Sequence, residues 1–129
     1  MTSFVSDRII VQNVPYTRDG YMIHEHKPIE VAVFVELTNG NTSDGYTAIP
    51  DGRTMVVTDF RAGSDESSKV ELLRENGSLE VLKTAYVNGQ TSDYLCYFEL
   101  AGPSTVYLRL SRMNVGPAEI QGEYGGYLI

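Results

Sequence analysis

Ile29-Glu-Val-Ala-Val-Phe-Val-Glu-Leu37 alternates without a break. Ile29, Val31, Val33, Val35 and Leu37 fall on one side of an extended chain, and Glu30, Ala32, Phe34 and Glu36 on the other. Successive side chains of a strand point to opposite faces, so this spacing predicts a half-buried strand; a helix would scatter the five aliphatic residues around its circumference. The same period of two recurs in residues 6–14, 54–60, 70–74, 79–85, 94–100, 105–112 and 118–124. About eight short strands separated by turn signals predict an all-β, antiparallel sandwich or barrel.

Turn chemistry divides the strands. Asn-Gly occurs at Asn39-Gly40, Asn76-Gly77 and Asn88-Gly89, and it supplies the two positive φ angles of a type I′ hairpin turn at little steric cost. Asp44-Gly45 and Pro50-Asp51-Gly52 read as further turns, and Gly102-Pro103 and Gly116-Pro117 bracket residues 105–112. Residues 64–76 fit either a short helix capped by Ser64 or one arm of a hairpin. The hairpin is the favoured reading; it sets Leu72 opposite Val81 and leaves residues 61–68 as a solvated loop. No linker or repeat interrupts the chain, so residues 1–129 are expected to form one domain.

The charge balance excludes several classes of function. Seventeen acidic against ten basic residues leave a formal charge of −7, and lysine occurs only at Lys27, Lys69 and Lys83. Nucleic-acid binding draws most of its affinity from a basic face, and anionic membranes repel such a surface, so neither partner is expected. The start of the chain has no basic segment leading into an apolar run and is not read as a signal peptide. The two Asn-x-Ser sequences, at Asn41 and Asn76, read as turn chemistry. Cys96 is the only cysteine and cannot form an intrachain disulfide; it lies in Tyr94-Leu-Cys-Tyr-Phe98, which reads as a buried strand.

Few residues suggest chemistry. His24-Glu25-His26 places two imidazoles on one face of a strand, with Glu30 following. These three, His24, His26 and Glu30, are the candidate metal ligands, and the plainer reading is surface histidines entering a strand. His-x-His-x-x-x-Glu resembles the first motif of the cupin family, and Pro50-Asp51-Gly52 is similar to its second. The sequence departs from the family at Arg18, where a glycine would stand, and at Met55, where a histidine would. The acids Asp44, Asp51, Asp59, Asp65 and Glu66 are candidates for loop calcium sites but lack EF-hand spacing. There is no Gly-x-Ser-x-Gly elbow and no nucleotide-binding glycine loop. No catalytic residue, cofactor or enzymatic activity is expected. Among nine tyrosines, Tyr86, Tyr94, Tyr97 and Tyr107 fall in strand runs and read as packing; Tyr16, Tyr21 and Tyr46 fall near turns and are the candidate partner contacts.

The stretch Tyr46-Thr-Ala-Ile-Pro-Asp-Gly-Arg-Thr-Met-Val-Val-Thr-Asp-Phe60 sets a short Ile-Pro-x-Gly turn before an apolar strand. The chain closes with Thr105-Val-Tyr-Leu-Arg-Leu110, Glu119-Ile-Gln-Gly122 and Gly126-Tyr-Leu-Ile129. Over residues 46–129 this arrangement is similar to small jelly-roll proteins of bacteriophage particles and to some bacterial surface or secreted proteins. The resemblance implies a jelly-roll sandwich and a structural or adhesive role on a virion, as capsid decoration or tail accessory. It implies other virion proteins and further copies of the chain as partners. A carbohydrate-binding module, with host-surface glycan as ligand, is the alternative from a different class.

Overall fold

The computed structural model describes residues 27–129; the expected strand over 6–14 lies outside them. Eight strands follow in chain order: β1 (Lys27–Leu37), β2 (Thr42–Ile49), β3 (Thr54–Ser64), β4 (Ser68–Glu75), β5 (Leu79–Val87), β6 (Gln90–Ala101), β7 (Ser104–Arg112) and β8 (Ala118–Leu128). They form two four-stranded antiparallel sheets, in the orders β1-β8-β3-β6 and β2-β7-β4-β5. The pairing is nested: β1 with β8, β2 with β7, β3 with β6, β4 with β5. Residues 27–128 thus form one long hairpin, its tip at residues 76–78, rolled so that successive pairs fall alternately into the two sheets. That is the jelly-roll form of the antiparallel sandwich.

The core lies between the sheets. Met55, Val57, Phe60, Leu72, Leu108, Leu110, Ile120 and Tyr124 are all buried there, and β1 adds the partly buried row Ile29 to Leu37 that its alternation predicts. On β3 the inward positions change from odd (Met55, Val57) to even (Phe60, Ala62). The cause is a bulge between Val57 and Asp59, where one extra residue turns the following side chains over. On the β5/β6 side, the Lys83 ammonium stands 4.7 Å from the centroid of the Tyr94 ring. Its aliphatic stem covers the seam there while the charge rests on the ring face.

Several expectations change. Asp44-Gly45 is no turn: it lies in the middle of β2, with Gly45 opposite Leu108. A Cβ on Gly45 would come within 2.5 Å of Val33 Cγ2, so glycine is there to let β1 and β2 approach across the sandwich. Of the Asn-Gly pairs, only Asn76-Gly77 closes a hairpin within a sheet; the other two carry the chain from one sheet to the other. Both residues have positive φ only at Asn39-Gly40 (55° and 77°). At the hairpin tip Gly77 alone is positive, in a three-residue loop.

Residues 64–76 hold the hairpin arm and no helix. A bulge moves Leu72 opposite Lys83 and puts Leu73 opposite Val81. Residues 61–64 belong to β3, and Ser64 and Ser68 are buried. Their hydroxyls lie 2.9 Å apart and both donate to the Glu66 carbonyl, so the turn satisfies its own polar groups. Residues 94–98 are buried on one face only, because Tyr94, Cys96 and Phe98 pack on the core while the outer face of the sheet meets solvent.

Candidate functional site

The outer face of the sheet β1-β8-β3-β6 brings charged residues from distant parts of the chain into two adjacent rows. Antiparallel register sets Ala32, Glu123, Arg61 and Asp93 in one row across the four strands, and Glu30, Gly125, Asp59 and Leu95 in the next. All of these point away from the core. Between the rows is a groove of about 390 Å³ lined by Glu30, Asp59, Arg61, Asp93, Tyr94, Leu95 and Glu123. Its floor depends on Gly125, since a Cβ there would stand 2.6 Å from Asp59 Oδ1. Without a side chain at 125, the Asp59 carboxylate can lie over β8.

The groups of the groove are paired unequally. Arg61 donates through Nε and Nη2 to the two carboxylate oxygens of Asp93, at 2.5 and 3.4 Å. The hydrogen bond and the charge of Asp93 hold the Arg61 guanidinium above its ordinary pKa. Glu123 is pushed up to about 7, first by its side-chain hydrogen bond with Glu30, then by burial and by the Glu30 charge; Arg61 opposes the shift. The raised value favours a protonated Glu123 that can donate to its neighbour on β1. The groove offers several carboxylate acceptors and one guanidinium donor, a set suited to hydrogen-bonding a polyhydroxylated ligand.

The other outer face is different. Tyr46, Tyr107, Leu73 and Val81 form a row straight across β2, β7, β4 and β5. The Tyr46 and Tyr107 rings stand 5.8 Å apart, tilted by 43°. In the next row Arg109 donates to both oxygens of Asp44, at 2.9 and 3.1 Å, and Glu71 lies beside Arg109.

Of the sequence candidates, Glu30 is in the groove, on the outer face of β1 and hydrogen-bonded with Glu123. His24 and His26 lie outside the described residues, as do Tyr16 and Tyr21. Tyr46 is 67% exposed, as a partner contact requires, but it sits within β2 and not at a turn. Tyr86 and Tyr97 are exposed on the outer faces instead of serving as packing. Asp44, Asp59 and Asp65 are kept apart: Asp44 pairs with Arg109, Asp59 lies over Gly125, and Asp65 Oδ1 accepts from the Glu119 amide. Among the described residues, no three His, Cys, Asp or Glu side chains are grouped to hold a metal ion. Burial, and then the Asp59 charge, pushes the Cys96 thiol up in pKa, away from a nucleophile's range. No helix of the described residues is long and apolar enough to cross a membrane.

Sequence reading missed Arg61, Asp93 and Glu123 as site residues. Their only local signal is that each occupies the polar phase of an alternating strand, which is also the signal of an ordinary solvated face.

No protein-family model matches the chain, and no curated protein sequence does. Among solved structures, the crystal structure of a mitogen derived from Yersinia pseudotuberculosis aligns at a TM-score of 0.37 with 12% identity, over 68% of this chain and 86% of that chain. The assignment of the fold rests on the strand order and the nested pairing.

Proposed function

We propose that the protein is a non-enzymatic structural or adhesive subunit of a phage particle, working through the outer surfaces of its two sheets and present as a homo-oligomer. The virion is the corresponding location, and other virion proteins are the partners. The observation that carries this reading is the number of large apolar side chains left exposed on regular strands: Phe34, Tyr46, Leu79, Val81, Tyr86, Leu95 and Tyr97. On the edge strands β5 and β6 they fall in pairs two residues apart, Leu79 with Val81 and Leu95 with Tyr97, and clustered apolar surface marks contact with other proteins. The jelly roll serves capsid and lectin domains alike, so the fold agrees with the reading without selecting it. The test is co-purification of the tagged protein with phage or particle components; absence of any particle component from the eluate would sink the proposal.

The groove favours a second reading, a carbohydrate-binding module. Its carboxylates and Arg61 would take sugar hydroxyls, with Leu95 and Tyr97 on the same face of β6 giving apolar contact. A glycan array with the wild-type protein and Asp93→Ala tests it. Binding lost in the variant supports the reading, and a flat wild-type response removes it.

A further inference from the structure

Among the described residues β6 is paired on one side only, with β3. Over its twelve residues the other side presents backbone N–H and C=O groups to whatever strand approaches. Proteins blunt such an edge with lysine, proline or an inward-pointing charge. β6, Gln90-Thr-Ser-Asp-Tyr-Leu-Cys-Tyr-Phe-Glu-Leu-Ala101, contains no lysine or proline, and its inward positions Ser92, Tyr94, Cys96, Phe98 and Leu100 are uncharged. The bulge opposite Thr58 adds twist but leaves the alternation of exposure intact along the strand. On the outer face Leu95 is 94% exposed and Tyr97 63%. The β5 edge beside it carries Leu79, Val81 and Tyr86 on the opposite outer face, so the two edge strands together hold five of the ten exposed large apolar side chains among the described residues.

We infer that β6 is a self-association edge: two copies pair β6 to β6, antiparallel about a two-fold axis at Leu95, and the sheets β1-β8-β3-β6 join into one continuous sheet. The charge pattern of the strand selects a second copy as the occupant and selects the register. Antiparallel pairing must keep outward residues against outward residues. With the axis at Leu95, the two leucines cover each other, Asp93, already paired with Arg61, faces Tyr97, and Glu99, which accepts from the Tyr97 hydroxyl of its own strand, faces Thr91, so no carboxylate meets another. An axis at Cys96 would oppose Asp93 to Glu99. An axis at Asp93 or Glu99 would oppose each to itself, one at Tyr94 or Tyr97 would set Leu95 against a carboxylate, and one at Phe98 opposes no like charges but pairs only residues 95–101 where the Leu95 axis pairs 90–100. Like charges directly opposite are destabilising, and apolar pairs are favourable. The new ladder forms about ten backbone hydrogen bonds, on the usual average of one per paired residue.

The inference deepens the homo-oligomer reading above and rests on it. The experiment is light scattering on the full chain over about a hundredfold range of concentration, since association follows mass action. A concentration-dependent dimer is expected. It should tighten as salt rises, because each copy carries a formal charge of −7 and salt screens the repulsion. Leu95→Glu sets two carboxylates on the axis and should weaken the dimer ~tenfold, by the cost of opposed like charges added to the loss of the leucine pair. At a position so exposed the substitution should leave the monomer's melting temperature unchanged. Leu95→Cys in a Cys96→Ala background should form a disulfide-linked dimer with oxidised glutathione as oxidant, while Tyr97→Cys in the same background should not. A wild-type monomer at every concentration overturns the inference and leaves decoration of a preformed particle standing. An oligomer indifferent to Leu95→Glu overturns it too, while leaving the homo-oligomer reading in place through another surface.

Discussion

The hydroxyl of Tyr124, on β8 of one sheet, donates to the carbonyl of Val106, on β7 of the other, at 3.1 Å. The ring is fully buried, and burial pushes the phenol up to about 12, so the group is neutral at any ordinary pH. One side chain thus fills the core and ties the two sheets by a bond shielded from water. Tyr124→Phe keeps the volume and loses the bond, for a cost of about 1–2 kcal/mol. Tyr124→Ala also opens a cavity and should cost about 3–5 kcal/mol. Urea unfolding reads both, as a lower midpoint with an unchanged slope for the phenylalanine variant.

The Glu30–Glu123 pair gives the protein a pH dependence of definite sign. The Glu123 carboxyl has an ordinary value of 4.5 and is pushed up to about 7 in the fold. Between those values the folded chain holds a proton that the unfolded chain has released. Stability from this group is therefore fully present below about 4.5 and is lost as pH rises through about 7. Glu123→Gln should flatten that slope and raise stability at pH 8 by about 1 kcal/mol, a modest figure because solvent screens a carboxyl this exposed. Thermal melts at pH 5 and pH 8 for both proteins check it; equal slopes would contradict the pairing.

Arg112 is a buried charge whose partners are carbonyls. Its guanidinium donates to the carbonyls of Ser67, Val115 and Gly116, joining the β3–β4 turn to the β7–β8 turn. Arg112→Lys keeps the charge but cannot serve three carbonyls held in the plane of a guanidinium. It should cost about 2–3 kcal/mol, and Arg112→Met at least as much, by leaving buried acceptors unsatisfied. Hydrogen exchange would show the loss first, as faster exchange at the amides of Asp65 and Met113, which bond across these turns.

Two glycines of β8 should respond to alanine by different amounts. At Gly126 a Cβ would stand 1.8 Å from the Val56 carbonyl oxygen, beside the β3 bulge, and backbone cannot step aside. At Gly122 the obstacles are side-chain methyls of Val70, Leu108 and Leu110, at 2.9 to 3.2 Å. Gly126→Ala should cost about 3 kcal/mol or prevent folding, and Gly122→Ala about 1 kcal/mol after repacking. Calorimetric melts of the two variants should rank them in that order.

Much of the architecture is legible in single strands. The alternation of residues 29–37 is β1, and seven of the eight strands of the fold overlap stretches that alternate in the sequence. β2 was illegible because Asp44-Gly45 has the composition of a turn. Its glycine answers instead to Val33, a residue on a strand of the other sheet. The same limit hid the groove. Glu30, Asp59, Asp93 and Glu123 are ordinary polar-phase residues until register sets them side by side.

The sequence by itself therefore determined seven of the eight described strands, the inward face of β1 and the all-β class, because a period of two is written in neighbouring residues and burial acts on it directly. Tertiary structure alone decided which glycines turn the chain and which admit a neighbouring strand, which carboxyls come side by side, and which of the described strands are left as edges. Each of those depends on pairing between segments far apart in the chain, and a one-residue slip in register would turn every side chain involved to the opposite face.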